Sequence, residues 1–265
     1  WVGNEDIALD VANTGFFDGL RRNKSIYWLE LRCNNREIVG TVIHEILNVY
    51  QEKNSIRFIS MYHVLLQNGG FILETFRRCT NINIISLFEC NITDEQLLPI
   101  VEVLRGLHLL ELHLPGNEIG NDGCEVLATL LSDPNCSIQK LHLNHNNIGN
   151  EGVATIGNNL ANNTKLKTLS LHRNPIHQPS ALDLFARVLC DTSSVNNTFT
   201  SNHTLQSLTL QSQILPGRMV YILNINSSTN KSRVAIEKVI KCHPNIDMEP
   251  LLNWNMEGEC DQDLK

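Results

Sequence analysis

The sequence predicts an α/β solenoid, in which a parallel sheet and a layer of helices are built from one repeated unit. Segments 111–123 and 140–152 are nearly identical and lie 29 residues apart. Self-similarity at such a period is typical of proteins whose units bury a continuous core only by stacking. Between the repeated strand-like stretches lie helical patterns of apolar residues, which favour a mixed α/β unit.

Each unit follows one template, with leucine-like residues at relative positions 1, 4, 6 and 11 and an asparagine-like residue at position 9. Positions 4 and 6 lie on one face of a short strand and enter the core, so positions 3, 5 and 7 face solvent. The amide at position 9 can satisfy the backbone where the chain leaves the strand. Seven units fit, beginning at Ile26, Ile56, Ile82, Leu109, Ile138, Leu166 and Leu205.

The pattern L-x-x-L-x-L-x-x-N/C-x-L resembles the leucine-rich repeat, and the spacing of 28 to 29 residues is similar to the ribonuclease-inhibitor type. This resemblance covers about residues 26–215. Strands stack about 4.8 Å apart whereas packed helices need about 8–10 Å, so we expect a curved arc with a parallel sheet on its concave face and helices on its convex face.

Three units depart from the asparagine position. Cys90 offers only a weak donor there, Val64 offers none, and Gln213 is one methylene longer than asparagine. We therefore expect the hydrogen-bond pattern to be least regular at the units of Val64 and Gln213.

Helix starts are also predicted. An apolar stripe at helical spacing runs from Val39 to Tyr50, and others follow in later units. Thr93 with Gln96, and Ser180 with Asp183, have the spacing of capping boxes. Because proline lacks an amide hydrogen, Pro99 predicts that the helix after Thr93 starts late or bends.

The chain is expected to form one elongated domain with capped ends. Residues 191–204, which make one step 39 residues long, are polar and predict an exposed loop, either tolerated decoration or a partner contact. After the repeats, Ser232–Lys241 predicts a helix, and Met248–Trp254 is expected to pack over the last unit. The predicted parts are a partial repeat or N-terminal cap at 1–25, about seven repeats at 26–215, and a C-terminal helical cap at 216–265.

Composition limits the function classes. The net charge is −7, from 21 basic and 28 acidic residues, so a nucleic-acid partner is not expected. No apolar run is long enough to span a bilayer, and no Walker-type P-loop occurs. We expect no membrane association and either a monomer or a fragment of a longer chain.

The eight cysteines show neither a CxxC pair nor regular spacing, which favours free thiols in a reducing, cytoplasmic location. Asn-x-Ser/Thr sequons, for example at Asn91 and Asn202, keep a secreted location open as the alternative. The chain begins at Trp1 without methionine, so a signal peptide upstream also stays open.

Candidate binding residues occupy the solvent-facing positions 3, 5, 7 and 8 of successive strands. An aromatic zone in the first three units is the material of interface hot spots, although the rings could instead bury one another. A polar zone follows in units four to six. The aromatic zone comprises Trp28, Phe58, Tyr62 and Phe88, and the polar zone comprises Glu111, His113, Lys140, His142, His145, His172 and Arg173.

Chemistry at these residues is not expected. The histidines lie on neighbouring strands, but a flat ladder does not easily supply the tetrahedral ligand set of zinc, so we expect them to tune charge without a metal. Ser170, His142 and Glu111 are neighbours in the grid, yet nothing marks a strained nucleophile turn or an oxyanion site. No cofactor is predicted.

The sequence therefore predicts a non-enzymatic protein-protein interaction module that binds its partner on the concave face. Resemblance to ribonuclease-inhibitor-type repeats implies a wider group, which includes inhibitors, ligand-sensing arrays of innate-immune receptors and activators of a small nuclear-transport GTPase. A GTPase-activating protein of that kind, and a ligand-sensing fragment of a larger receptor, are the alternatives.

Overall fold

Seven parallel strands form a single sheet in chain order in the computed structural model. The structure describes residues 27–32, 56–64, 80–211 and 215–245, together with residues 22, 73, 76 and 77. The strands are β1 (Trp28–Arg32), β2 (Phe58–Tyr62), β3 (Ile84–Phe88), β4 (Glu111–His113), β5 (Lys140–His142), β6 (Thr168–Ser170) and β7 (Ser207–Thr209). The helices are α1 (Asp94–Leu104), α2 (Asn121–Leu131), α3 (Asn150–Leu160), α4 (Gln178–Leu189), α5 (Val195–Thr200), α6 (Gly217–Ile225) and α7 (Lys231–Cys242).

The strand register confirms the predicted template. Position 4 of each unit pairs with position 4 of the next, as Leu112 does with Leu141 and Leu141 with Leu169. Their side chains are buried, as is Leu143 at position 6. Residues of successive units therefore stack into one continuous core between the sheet and the helices, and the fold is the predicted leucine-rich-repeat solenoid.

The asparagines at position 9 form a ladder along the strand ends, as predicted. Asn146 Nδ2 donates to Leu114 O of the preceding unit at 2.9 Å and to Leu143 O of its own at 3.1 Å. Its Oδ1 accepts from Ile119 N at 3.1 Å. Because Asn117 and Asn174 repeat this pattern, one buried amide per unit satisfies the turn backbone of two units.

The two described departures behave as their chemistry requires. Cys90 Sγ donates to Phe88 O at 3.4 Å and lies 3.6 Å from Met61 O, which fits a weak donor. Val64 is fully buried and carries no polar atom for the ladder. Gln213 and the stripe from Val39 to Tyr50 lie outside the described residues. So do residues 1–21 and 246–265, which include the predicted packing segment Met248–Trp254.

One predicted helix start is confirmed and the other is wrong. Thr93 and Gln96 form the capping box of α1, which begins at Asp94 and contains Pro99. A late start is thus not observed. Helix α4 instead begins at Gln178 with His177 as its N-cap. The backbone amide of this N-cap residue donates to Asn150 Oδ1 of the preceding unit at 2.8 Å. A side chain of the neighbouring helix therefore satisfies the helix start, and Ser180 is not the N-cap.

Residues 191–204 are not a plain exposed loop, so that prediction is corrected. They contain helix α5, whose N-cap Ser194 accepts from Asn197 N. Thr198 is fully buried, and its Oγ1 donates to Asp191 O at 2.6 Å and lies 2.8 Å from His243 Nε2 after α7. Polar composition suggested exposure, but these polar groups bond to one another and to the cap.

A second asparagine ladder runs where helices return to strands. Asn202 Nδ2 donates to Leu160 O and Asn163 O, while its Oδ1 accepts from Thr204 N and Leu205 N at 2.9 Å each. Asn163 makes the equivalent bonds one unit earlier, and Asn226 continues them one unit later. The sequon asparagines Asn202 and Asn226 are consequently buried structural groups.

The C-terminal helix was predicted within one residue at each end, because α7 spans Lys231–Cys242. Its Lys238 is 1% exposed, and the Nζ donates to Leu189 O at 2.8 Å and Asn202 O at 2.7 Å. Across the described part of the chain, no helix is long and apolar enough to cross a membrane.

Candidate protein-binding face

The parallel register arranges the solvent-facing side chains of the concave face, meaning the sheet face opposite the helices, into columns. Position 3 runs from Trp28 through Phe58 and Ile84 to Glu111 and Lys140. Position 5 contains Ser60, Ser86, His113 and His142, while position 7 contains Arg32, Tyr62 and Phe88. The predicted zones are therefore contiguous surfaces.

The aromatic zone is built from two ring pairs. Trp28 and Phe58 meet edge to face with centroids 5.0 Å apart, and Tyr62 and Phe88 lie 5.3 Å apart. Arg32 places its guanidinium 4.6 Å from the Tyr62 ring centroid, a cation–π contact that sequence reasoning missed. Phe58, Tyr62 and Phe88 are half-buried by these contacts, whereas Trp28 remains 55% exposed.

Small residues lie between the two aromatic columns. Ser60 is 1% exposed and Ser86 is 6% exposed, although both occupy a solvent-facing position of the template. Phe58 and Tyr62 flank Ser60 on β2, and Ile84 and Phe88 flank Ser86 on β3. Ser60 Oγ has no hydrogen-bond partner within the protein, so a hydroxyl with unmet bonding capacity lies at the base of the aromatic zone.

Glu111 organises the first part of the polar zone. Its carboxylate lies 2.8 Å from Lys140 Nζ and 3.2 Å from His113 Nε2. Burial alone would raise the pKa of Glu111, but the Lys140 and His113 contacts outweigh it and hold the pKa below its ordinary value. The carboxylate is therefore charged and engaged with two neighbours.

The histidines form two ring pairs. His113 and His142 have centroids 4.5 Å apart, and His145 and His172 lie 5.7 Å apart. Burial is the main cause that lowers the pKa of His113, His142 and His172, and Glu111 partly offsets it at His113 and His142. Protonation of both His113 and His142 would place like charges in contact, so acidification should disfavour this pair.

The strand ends add the predicted position-8 column, whose backbone conformation the sequence did not reveal. Position 8 has left-handed backbone in five successive units, with φ of 56° at His63, 52° at Glu89, 68° at Gly116, 57° at His145 and 57° at Arg173. His63 Nδ1 lies 3.2 Å from Glu89 Oε2, and Arg173 Nη1 lies 2.9 Å from His145 Nε2. Gly116 was the single sequence signal of this conformation.

The structure does not bring Ser170, His142 and Glu111 together as a hydrogen-bonded triad. Ser170 Oγ lies 3.0 Å from His172 Nδ1, so its partner is not His142. The neighbours that act on the pKa of His172 are His145 and Arg173, which both lower it. A catalytic histidine would instead need an orienting carboxylate beside it. Among the described residues, no group of three or more His, Cys, Asp or Glu side chains is placed so that it could hold a metal ion.

The fold is a leucine-rich-repeat solenoid, and leucine-rich-repeat domains typically mediate protein-protein interaction and are generally non-catalytic. The leucine-rich-repeat family profile matches residues 107–128 and 135–157. These residues hold strands β4 and β5 with helices α2 and α3, the most regular part of the array.

The chain has a distant similarity to the ribonuclease inhibitor of Mus musculus, at 31% identity over 123 residues. That alignment covers 46% of this chain, and the chain spans 26% of the length of the relative. Among solved structures it is similar to Leiomodin-1 Actin-Binding Site 2, with a TM-score of 0.46, 20% identity, and coverage of 71% of this chain and 95% of that one.

Proposed function

We propose that this protein is a non-enzymatic recognition module that anchors a protein partner on the aromatic zone of the concave face. The observation that carries the proposal is the exposure of Trp28, 55%, at a position where the strand presents its side chain to solvent. Tyr27 beside it is 64% exposed. Large exposed aromatics at one end of a rigid sheet are the usual anchors of a protein interface.

Mutual burial of the rings accounts for only part of this zone. Phe58 contacts Trp28 edge to face, yet Trp28 as a whole residue is still 55% exposed. Leaving that apolar area exposed costs free energy that a partner could recover, at about 25 cal/mol per Å² buried. The pairing also holds the rings in place before binding, which lowers the entropy lost on association.

The polar zone would orient the partner. Glu111 and Lys140 already satisfy each other at 2.8 Å, so they contribute specificity more than affinity. Burial lowers the pKa of His113, His142 and His172, and a neutral imidazole offers both a donor and an acceptor. A partner with apolar side chains facing β1 to β3 and polar groups facing β4 to β6 fits this division.

Affinity capture with mass spectrometry tests the proposal, using the protein and its Trp28→Ala, Phe58→Ala double variant. The variant should lose at least tenfold in partner binding while its thermal unfolding stays cooperative, because both rings project from the sheet. Leu98→Ala is the matched control, since Leu98 is 52% exposed on helix α1, away from the face. Equal partner recovery with folded double variant and protein would refute an aromatic anchor.

A GTPase-activating role receives no specific support. Arg173, the candidate arginine, is hydrogen-bonded to His145 on the same surface. Stimulated phosphate release from a purified GTPase that disappears in Arg173→Ala would replace the proposed function. A ligand-sensing fragment of a larger receptor would use the same face. For the proposed recognition module we also propose a cytoplasmic location.

A further inference from the structure

Two cysteines meet at the seam between the last repeats and the C-terminal cap. Cys190 follows the final residue of α4, and Cys242 ends α7, 52 positions later in the chain. Their Sγ atoms lie 3.3 Å apart. A disulfide requires about 2.05 Å, so small side-chain rotations separate the observed contact from a covalent bond.

The two thiols have different surroundings. Cys190 is 5% exposed, and burial raises the pKa of its thiol to about 11. Cys242 is half-buried and accepts a hydrogen bond from Arg218 Nη2 at 3.1 Å. Arg218 places a positive charge beside the Cys242 sulfur, and Cys242 is the more exposed of the two cysteines. Cys242 is therefore suited to react first with an oxidant, and Cys190 to attack it in the second step.

Cys124 and Cys136 have different surroundings from this pair. Cys124 and Cys136 are buried within the repeats. Burial raises the pKa of Cys124 to about 12 and also raises that of Cys136. They provide internal controls, because buried thiols of high pKa react slowly with oxidants.

We propose that Cys190 and Cys242 form an oxidative modification site that a hydroperoxide converts into a disulfide. The Cys242 thiolate attacks one oxygen of hydrogen peroxide, the O–O bond breaks, and hydroxide leaves, which yields a sulfenic acid at Cys242. Cys190 sulfur then attacks the Cys242 sulfur, the S–OH bond breaks, and the thiol proton leaves with the hydroxyl group as water. One peroxide is reduced and two thiols are oxidised to one disulfide.

The bond would fasten the cap to the array. It would join the C-terminal end of α7 to the end of α4, on the side of the molecule that carries the helices. A cross-link between distant positions restricts the unfolded chain more than the folded one, so it should raise thermal stability. Thiol reductants would reverse it, because disulfide exchange regenerates both cysteines.

Peroxide treatment of the full chain, followed by alkylation and non-reducing peptide mass spectrometry, tests the site. The expected product is one peptide pair joined through Cys190 and Cys242, with Cys124 and Cys136 alkylated. The unfolding temperature should rise by about 5–10 °C and return after reduction. Both thiols remaining alkylatable, or Cys242 joined to a different cysteine, would overturn the proposal, and neither readout depends on a variant folding.

The role of Arg218 is tested by rate. Arg218→Met should slow disulfide formation severalfold, because it removes the guanidinium that donates to Cys242 Sγ at 3.1 Å. Arg233→Met is the matched control, because Arg233 is an exposed arginine near the opposite end of α7. Equal rates in the two variants would overturn activation by Arg218.

Discussion

The two asparagine ladders use the same chemistry with different sequence regularity. In the strand-end ladder, Asn117, Asn146 and Asn174 recur at the repeat period. In the helix-to-strand ladder, Asn163 and Asn202 are 39 residues apart because α5 lies between them. Yet the Oδ1 of each accepts from the amides two and three residues later. Equivalent structure thus persists where the period is lost.

The ladders also end differently. At the helix-to-strand ladder, Asn226 Nδ2 still donates to Leu205 O at 2.7 Å, but its Oδ1 has no partner within the protein. Lys238 Nζ joins the ladder one step before Asn226, where it donates to Asn202 O and Leu189 O. A buried amine from the cap therefore joins a pattern that amides maintain elsewhere.

The largest expected effect concerns Lys238 and pH. Burial lowers its pKa to about 7, whereas the unfolded chain keeps a value near about 10.5. Above pH 7 the unfolded state binds more protons, so stability should rise by roughly 3 kcal/mol between pH 7 and pH 10. Chemical denaturation of the protein and Lys238→Met across this range measures the difference. Parallel pH curves for the two would contradict a buried, titrating lysine.

An effect of similar size is expected when an asparagine of either ladder is replaced. Asn146→Ala and Asn202→Ala should each lower the free energy of unfolding by about 3 kcal/mol, because each leaves several buried backbone groups without partners. Urea unfolding followed by circular dichroism measures both. A cost for Asn202→Ala well below that for Asn146→Ala would show that the irregular ladder is the weaker one. The exposed Asn196→Ala on α5 is the control.

The smallest effect is expected at Gly116, in the regular region. Gly116→Ala should cost about 1–2 kcal/mol because φ is 68° and the new Cβ would lie 2.6 Å from Glu89 Cγ. Adding Glu89→Ala removes the contact and should recover part of the loss, leaving the left-handed backbone cost. Thermal unfolding of the single and double variants separates the two terms, and no recovery would place the whole cost in the backbone.

Prediction from sequence was correct at template positions that have the same structural role in every unit. Leu112, Leu141 and Asn146 were assigned correctly because the template repeats around them. The aromatic and polar zones followed from the same register, although their binding role stays a prediction. Thr93 was assigned as a cap because its partner, Gln96, lies three residues away.

Prediction failed where partners come from other units. His177 takes its cap contact from Asn150, 27 residues earlier, and Thr198 is buried against the region of His243, 45 residues later. Composition cannot show such pairings. The proximity of Cys190 to Cys242 and the burial of Lys238 are of the same kind, since both depend on how the cap docks.

The left-handed backbone at position 8 places the side chain of that residue on the outer surface, apart from the residues that stabilise the core. Each side chain there sits at the rim on a backbone that already accepts histidine, glutamate, arginine or glycine. Replacements at this position should therefore cost little more than about 1 kcal/mol each. The rim column is a place where mutation could retarget binding without rebuilding the core, and a randomised library at His63, Glu89, His145 and Arg173 would be a practical starting point for engineering new specificity.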